Sequence, residues 1–266
     1  MIARLAIAAF AIGLCVYYQG GIAVTSDGIQ YLAPPPRHSP FRLRWLLPWV
    51  LGRRPWLWAA VAWVCLLVTA LLFPGDLWVC ALWCGLPWVR TMAMAPVLMD
   101  APAMALSLAC RRWPHALWGL GAMVSERMPV FAGIMAWRWE PVALGLACTL
   151  AAVLWTPGRG KWSNGPLQAG WSAAERRADI RAMLLPWGAG MAALLSGGWT
   201  LPELALIAVA YGQLLVATDS SRLYQWAAPV VLPRAMAMIP ARWRLAAVVL
   251  HWLNPWAWAP RKQVMC

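Results

Sequence analysis

The sequence has little charge. Only 12% of its 266 residues are Asp, Glu, Lys or Arg, about half the share found in soluble domains. Hydrophobic residues make up 62% of the chain, and the mean hydropathy is +0.61. A soluble protein of this size cannot bury so much apolar surface in one core, and disordered chains have the opposite composition. The composition therefore excludes both classes and predicts a polytopic membrane protein.

Cysteine, histidine and phosphate-binding motifs are also scarce. Seven cysteines spread over 266 residues exclude a disulfide-stabilised mini-protein, and three scattered histidines give no metal-ligand spacing. No phosphate-binding loop has the required spacing, and the inverted repeat found in many secondary transporters is missing. The sequence therefore predicts no cofactor and no built metal site, and leaves the use of a divalent cation open.

Basic residues are abundant and are almost all arginine. There are 22 Lys and Arg against nine Asp and Glu, a net charge of +13, and only Lys161 and Lys262 are lysines. The arginines flank apolar segments, where they meet lipid phosphates and set topology. Many of the 22 tryptophans lie near segment ends, as in interfacial belts. This distribution indicates membrane lipids as partners and argues against nucleic-acid binding. The sequence gives no indication of a soluble partner.

Long apolar segments, punctuated by proline, divide the chain. We predict an all-α integral membrane bundle of about eight to ten transmembrane helices, which form a single transmembrane domain over residues 1–266. The candidate segments, two of them short, are 2–18, 43–52, 55–73, 76–89, 92–110, 115–137, 141–156, 182–198, 201–218 and 225–257. The last of these is interrupted at Pro240 and holds two helices. Segment 2–18 is read as a retained first helix without an obvious cleavage site.

Two hydrophilic stretches fix the predicted topology. Residues 157–181 hold five Lys and Arg, so the positive-inside rule places this loop in the cytoplasm. Counting spans back from it places the N-terminus inside and residues 19–54 outside. The 19–54 loop carries five arginines of its own, which contradicts the rule. Either segment 76–89 does not span the membrane, or these arginines stay outside for a reason.

Three ionisable residues lie inside predicted spans. Asp100 is 11 residues before Arg111, and Glu126, followed by Arg127, is 12 residues after Pro114. At about 1.5 Å per residue both acids lie roughly 16–18 Å from the connecting turn, at one depth on neighbouring helices. An ionisable group at this depth is a functional hypothesis by default. Two interpretations remain open: an Asp100–Arg127 ion pair that fixes packing, or a polar cavity faced by Asp100 and Glu126.

Asp27 directly follows the first helix and would lie at the membrane surface. A carboxylate there could deprotonate an acceptor hydroxyl as a general base. The alternative is a capping role before a short helix that begins near Gly28. Residues 40–49 are amphipathic and basic, which is typical of an interfacial helix whose arginines bind phosphate. Asp219 and Arg222 have the spacing of a local salt bridge or form a second polar wall of a site.

These motifs, in this order, resemble the GT-C class of polytopic glycosyltransferases and their compact bacterial relatives. Residues 26–32 (SDGIQYL) are similar to a D-x-x-x-Y-L stretch, and residues 40–49 (PFRLRWLLPW) to the basic element that continues it. Similar but shorter matches are PVLMDA at 96–101, SERMPV at 125–130, and DSSRL at 219–223 with APV at 228–230. The resemblance covers residues 1–230, and it is carried more by the order of the motifs than by any one of them.

The resemblance implies a bacterial cytoplasmic-membrane enzyme that uses a lipid-linked sugar donor, usually polyprenyl phosphate based. Asp27 would be the catalytic base, and Arg42 or Arg44 would hold the donor phosphate. The remaining candidate substrate-binding residues are Tyr31, Asp100, Glu126, Arg127 and Arg222. The chain is short for the class and lacks a second acidic residue in its first loop, which leaves metal use open.

Two other functions remain open from the residues alone. Asp100, Glu126 and Arg127 could form the relay of a transporter or lipid flippase. Alternatively, the protein could be a non-catalytic membrane scaffold whose buried charges serve only helix packing. Asp27→Asn would abolish activity only in the transferase, and Asp100→Asn would uncouple only the transporter.

Overall fold

The computed structural model describes residues 1–32, 44, 46–110, 114–125, 127–154, 183–213 and 224–255. The regular structure of these residues is helical, with no strand among them. The α-helices are α1 (Ile2–Gln19), α2 (Ser26–Leu32), α3 (Leu46–Leu51), α4 (Pro55–Leu72), α5 (Leu77–Cys84), α6 (Pro87–Met94), α7 (Asp100–Ala109), α8 (Pro114–Val124), α9 (Arg127–Ala136), α10 (Trp139–Leu154), α11 (Gly190–Leu195), α12 (Leu201–Gly212), α13 (Ala228–Met238) and α14 (Arg244–Trp252). Short 3₁₀ helices occur at Leu185–Trp187, Gln225–Ala227 and Ala241–Trp243.

Two of these helices are long and apolar enough to cross a membrane. Both α1 and α4 have 18 residues, or about 27 Å of helix, close to the roughly 30 Å of a bilayer core. Helices α5 and α6 pass the same test only together and are bent by 61° at the break between them. The described part of the chain thus holds two candidate spans, or three if the bent pair is one broken span. Eight to ten spans remain a prediction.

The predicted span 92–110 is divided into two helices. Helix α6 ends at Met94 and α7 begins only at Asp100. Pro96 has no N–H to donate and disfavours helical backbone at the residue before it. Asp100 is therefore in the first turn of a helix, and the expectation that it lies in the middle of one is wrong.

The predicted span 115–137 is divided in the same way. Helix α8 ends at Val124 and α9 begins at Arg127. Pro129 lies in the first turn of α9, where its missing N–H costs nothing. Arg127 thus also begins a helix, contrary to the mid-helix position expected from the apolar run.

The described residues form two compact units, each assembled from separate pieces of the chain. The first holds residues 1–13, 73–91 and the described residues from 183 to 255. In it α5 packs against α13 and α14, and α11 packs against α13. Gln225 links the start of α6 to the 3₁₀ helix Leu185–Trp187, since its Oε1 accepts from Trp88 N at 2.8 Å and its Nε2 donates to Pro186 O at 3.2 Å. The bent α5–α6 pair is held by this amide.

The second unit holds residues 14–72 and the described residues from 92 to 154. Helix α4 packs along α7, α7 packs against α8 and α9, and α9 packs against α10. Small side chains explain the close packing of α4 and α7. The buried residues of α4 recur every three or four positions and are Trp58, Ala59, Ala62, Leu66, Thr69 and Ala70. Most of α7 is buried, and four of its ten residues are alanine.

Candidate functional site

The predicted catalytic residue Asp27 lies in α2, a short helix that follows α1. Helix α2 begins at Ser26, and the Gly28 N–H donates to Thr25 Oγ1 at 3.1 Å. Thr25 therefore occupies the capping position. The interpretation of Asp27 as the cap of a helix beginning near Gly28 is wrong, because the helix begins one residue before Asp27 and another side chain supplies the cap.

Gly28 brings α2 into close contact with the chain that leads to Asp100. A Cβ atom at position 28 would lie 2.9 Å from Val97 O and 3.0 Å from Val24 Cγ1. Only a residue without a side chain permits this approach. Two of the motifs that resemble GT-C transferases, the one at Asp27 and the one at Asp100, are therefore packed against each other.

The backbone of the α6–α7 break is satisfied by neighbouring groups. Met94 O accepts from Ala23 N at 2.9 Å, and Ala93 O accepts from Trp63 Nε1 at 3.0 Å. Inside a bilayer, non-helical backbone is tolerated only where such partners replace water. The interruption between α6 and α7 beside Asp100 is thus stabilised by hydrogen bonds from other parts of the second unit.

Tyr31 and Arg44 form the second part of the site. Arg44 Nη1 donates to Tyr31 OH at 3.0 Å, and the Tyr31 ring stacks on Trp58 with centroids 5.8 Å apart. Tyr31 is only 3% exposed and Arg44 only 7%. One helical turn, about 6 Å, separates Tyr31 from Asp27 on α2. Tyr31 was predicted to bind substrate; in the structure it holds a buried guanidinium in place one turn from Asp27.

Asp100 and Arg127 meet where two interrupted spans adjoin. Arg127 Nη1 lies 3.4 Å from Asp100 Oδ1, with side-chain exposures of 20% and 9% respectively. Asp100 is stabilised by the positive N-terminal end of α7, whereas Arg127 at the start of α9 is placed unfavourably by the same helix dipole effect. The carboxylate offsets that cost. Of the two interpretations left open by the sequence, the Asp100–Arg127 ion pair is present, whereas Glu126, which the polar cavity requires, lies outside the described residues.

Three predicted site residues lie outside the described residues. They are Arg42, Glu126 and Arg222. The side chain of Asp27 is likewise outside the description, although its backbone belongs to α2. The second unit therefore contains the α2 backbone at Asp27, the pair Tyr31–Arg44 and the pair Asp100–Arg127. The contact that links two of these parts is the one between Gly28 and Val97.

The first unit contains buried polar residues that the sequence prediction did not single out. Arg90 and His251 are each 2% exposed. Arg90 Nη2 donates to Trp252 O at 2.7 Å, and Ala189 N donates to His251 Nδ1 at 3.3 Å. The available signal was the one that identified Asp100, an ionisable residue within an apolar run. Arg90 lies at the predicted junction between spans 76–89 and 92–110, where an arginine is ordinary, so its position did not single it out.

A metal centre has no protein donor set in the described residues, which contain no group of three or more His, Cys, Asp or Glu able to hold an ion. Comparison with protein-family models, with curated proteins and with solved structures gave no match. The resemblance to GT-C transferases therefore rests on the sequence motifs alone.

Proposed function

We propose that the protein is a membrane-embedded, GT-C-like glycosyltransferase. It transfers a sugar from a polyprenyl-phosphate donor at the extracytoplasmic face of a bacterial cytoplasmic membrane. The observation that carries this proposal is the Arg44–Tyr31 hydrogen bond, 3.0 Å long and buried, one turn from Asp27 on a helix packed against the chain leading to Asp100. A cation and a carboxylate near the membrane surface are what the reaction requires.

In the proposed reaction, Asp27 takes the proton from an acceptor hydroxyl. The acceptor oxygen then bonds to the anomeric carbon as the bond from that carbon to the phosphate oxygen breaks. The electron pair of the broken bond leaves with polyprenyl phosphate, and its added charge is stabilised by Arg44 or Arg42. A guanidinium has its donors in a planar fork, so Arg44 can be oriented by Tyr31 while facing a phosphate.

The proposed topology places α1 with its N-terminus inside and the α2 loop outside. This arrangement explains why arginines occur in a loop on the side that usually has few of them. Labelling of a cysteine at position 27 by a membrane-impermeant maleimide tests the topology in intact cells. Labelling only after the cells are opened would contradict the transferase proposal.

The ion pair between Asp100 and Arg127 favours one alternative, the non-catalytic scaffold. Two charges 3.4 Å apart need no substrate to compensate them, and buried pairs commonly fix packing. A transporter or flippase that uses Asp100, Glu126 and Arg127 would need this pair to open. The scaffold predicts that Asp27→Asn is silent in every assay.

Sugar transfer in proteoliposomes tests the proposal. The assay supplies polyprenyl-phosphate-linked glucose, mannose and N-acetylglucosamine with a bacterial membrane extract as acceptor, and measures released polyprenyl phosphate. We expect turnover by the wild type and a loss of about 10² or more in Asp27→Asn. The matched control is Asp76→Asn, which alters a half-exposed capping carboxylate in the first unit. Equal turnover by wild type and Asp27→Asn, or none by the wild type with any donor, would contradict the proposal.

A further inference from the structure

We infer that the start of α14 lies at the cytoplasmic headgroup level, where it binds anionic phospholipid through Arg242, and that α14 descends only halfway into the bilayer. This inference rests on the membrane insertion and orientation given in the proposed function, and not on transferase activity. It concerns the first unit, which holds none of the described residues of the candidate site.

Three helices of the first unit begin at one level. Arg4, near the start of α1, donates to Phe73 O at 2.8 Å and also to Gly75 O. The next residue, Asp76, caps α5 by accepting from Val79 N at 3.0 Å. Arg244, the first residue of α14, places Nη1 3.5 Å from Asp76 Oδ2. The starts of α1, α5 and α14 are therefore tied together by charged and capping groups, which belong at a membrane–water boundary.

The far end of α14 lies beside the middle of α1. Trp252 stacks on Phe10 with centroids 6.1 Å apart, and its Nε1 donates to Ala81 O at 2.8 Å. Helix α14 therefore runs in the same direction as α1 and α5. From Arg244 to Trp252 it rises about 12 Å, less than half of a bilayer core of roughly 30 Å. It cannot be the full span that the sequence predicted near the end of segment 225–257.

One face of α14 is apolar and exposed along its whole length. The exposed side chains follow helical spacing: Leu245 at 63%, Val249 at 47% and Leu250 at 69%, with Leu253 at 69% directly after the helix. The opposite face holds His251, which is buried against Gly85 and Gly188. This is the pattern of a helix with one face packed on protein and the other in acyl chains.

The positive charge of Arg242 favours an anionic lipid headgroup. Arg242 is exposed in the 3₁₀ helix directly before α14, and the neighbouring Trp243 is 55% exposed. Arginine beside tryptophan is common at a headgroup layer. With the N-terminus inside, this level faces the cytoplasmic leaflet, which carries anionic lipid. A phosphatidylglycerol headgroup therefore fits the Arg242 surface better than a zwitterionic one.

Depth measured by spin labelling tests the geometry. Leu245→Cys, Leu250→Cys and Leu253→Cys are made singly with the native cysteines replaced by alanine, and are labelled in phosphatidylglycerol–phosphatidylcholine vesicles. The ratio of a label's accessibility to oxygen to its accessibility to a polar nickel complex gives the depth of that label in the bilayer. We expect depth to increase along the series by about 12 Å in total. Equal depths, access to the nickel complex at position 253, or exclusion of both reagents would overturn the inference.

Lipid retention tests the partner. Purified wild type, Arg242→Gln and the matched control Arg242→Lys are compared for phosphatidylglycerol retained against phosphatidylcholine. We expect the preference for phosphatidylglycerol to fall about fivefold in Arg242→Gln and little in Arg242→Lys. An unchanged preference in Arg242→Gln would overturn the assignment of the lipid. Resistance to carbonate extraction measures membrane insertion separately for each protein. Extraction of the wild type by carbonate would show that the proposed function itself is wrong.

Discussion

Removing one partner of the Asp100–Arg127 pair is expected to destabilise the second unit strongly. At the observed 3.4 Å, two unit charges attract by about 5 kcal/mol for an effective dielectric constant near 20. Arg127 is one-fifth exposed, so water compensates part of its charge when the Asp100 carboxylate is removed. We therefore expect Asp100→Asn and Arg127→Gln each to cost about 3 kcal/mol, at the lower end of losses for broken buried pairs.

The double variant distinguishes the ion pair from general damage. Asp100→Asn combined with Arg127→Gln removes both charges of the pair, so neither is left facing the loss of the other. Its loss should be smaller than the sum of the single losses by about 2 kcal/mol or more. Thermal unfolding in detergent, followed by tryptophan fluorescence, measures the series. A loss of about 3 kcal/mol corresponds to a melting temperature roughly 6–12 °C lower.

The control is a more exposed ion pair of the same unit. Arg138 Nη2 lies 2.7 Å from Glu140 Oε1, with side chains 35% and 38% exposed. Water and salt screen such a pair, so Glu140→Gln should shift the melting temperature much less than Asp100→Asn. Additive single losses at Asp100 and Arg127, or single variants as stable as the wild type, would refute the reasoning.

Two further predictions concern α2. Tyr31→Phe removes the hydroxyl that accepts from Arg44, which should lower the free energy of unfolding by about 1 kcal/mol. It should also weaken polyprenyl phosphate binding, but less than Arg44→Ala does. Titration of each variant in detergent measures the binding, and unchanged binding by Tyr31→Phe would show that Tyr31 is not part of the site. Gly28→Ala should displace α2 because its Cβ would lie 2.9 Å from Val97 O, with sugar transfer lost. Gly13→Ala, whose Cβ meets nothing within 4 Å, should leave transfer unchanged, and equal effects would contradict the packing argument.

The sequence indicated the helical class and the depth of the charged residues. Counting residues from the turn at 111–114 placed Asp100 and Arg127 at one level, and the structure pairs them at 3.4 Å. The apolar runs did not reveal that both residues begin helices. Pro96 and Pro129 carried that information, but the hydrophobicity of the flanking segments continues across the breaks.

Contacts between distant segments were beyond sequence reasoning. The Arg44–Tyr31 bond joins residues 13 apart, and the bonds from Gln225 to Trp88 and from Arg90 to Trp252 join residues 137 and 162 apart. No local pattern specifies such partners, because they depend on which helices pack together. The capping role of Thr25 was readable in principle, since threonine directly before a helix is a common cap.

The most direct test of the proposed donor site is the binding of polyprenyl phosphate to the purified protein. This ligand is common to all such donors, so the sugar need not be known, and polyprenol without phosphate is the matched control. We expect the wild type to prefer polyprenyl phosphate, Asp27→Asn to retain that preference, and Arg44→Ala to weaken it by about 10- to 100-fold, as for the loss of one charged hydrogen bond. Equal affinity of the wild type for polyprenol and polyprenyl phosphate would contradict the account.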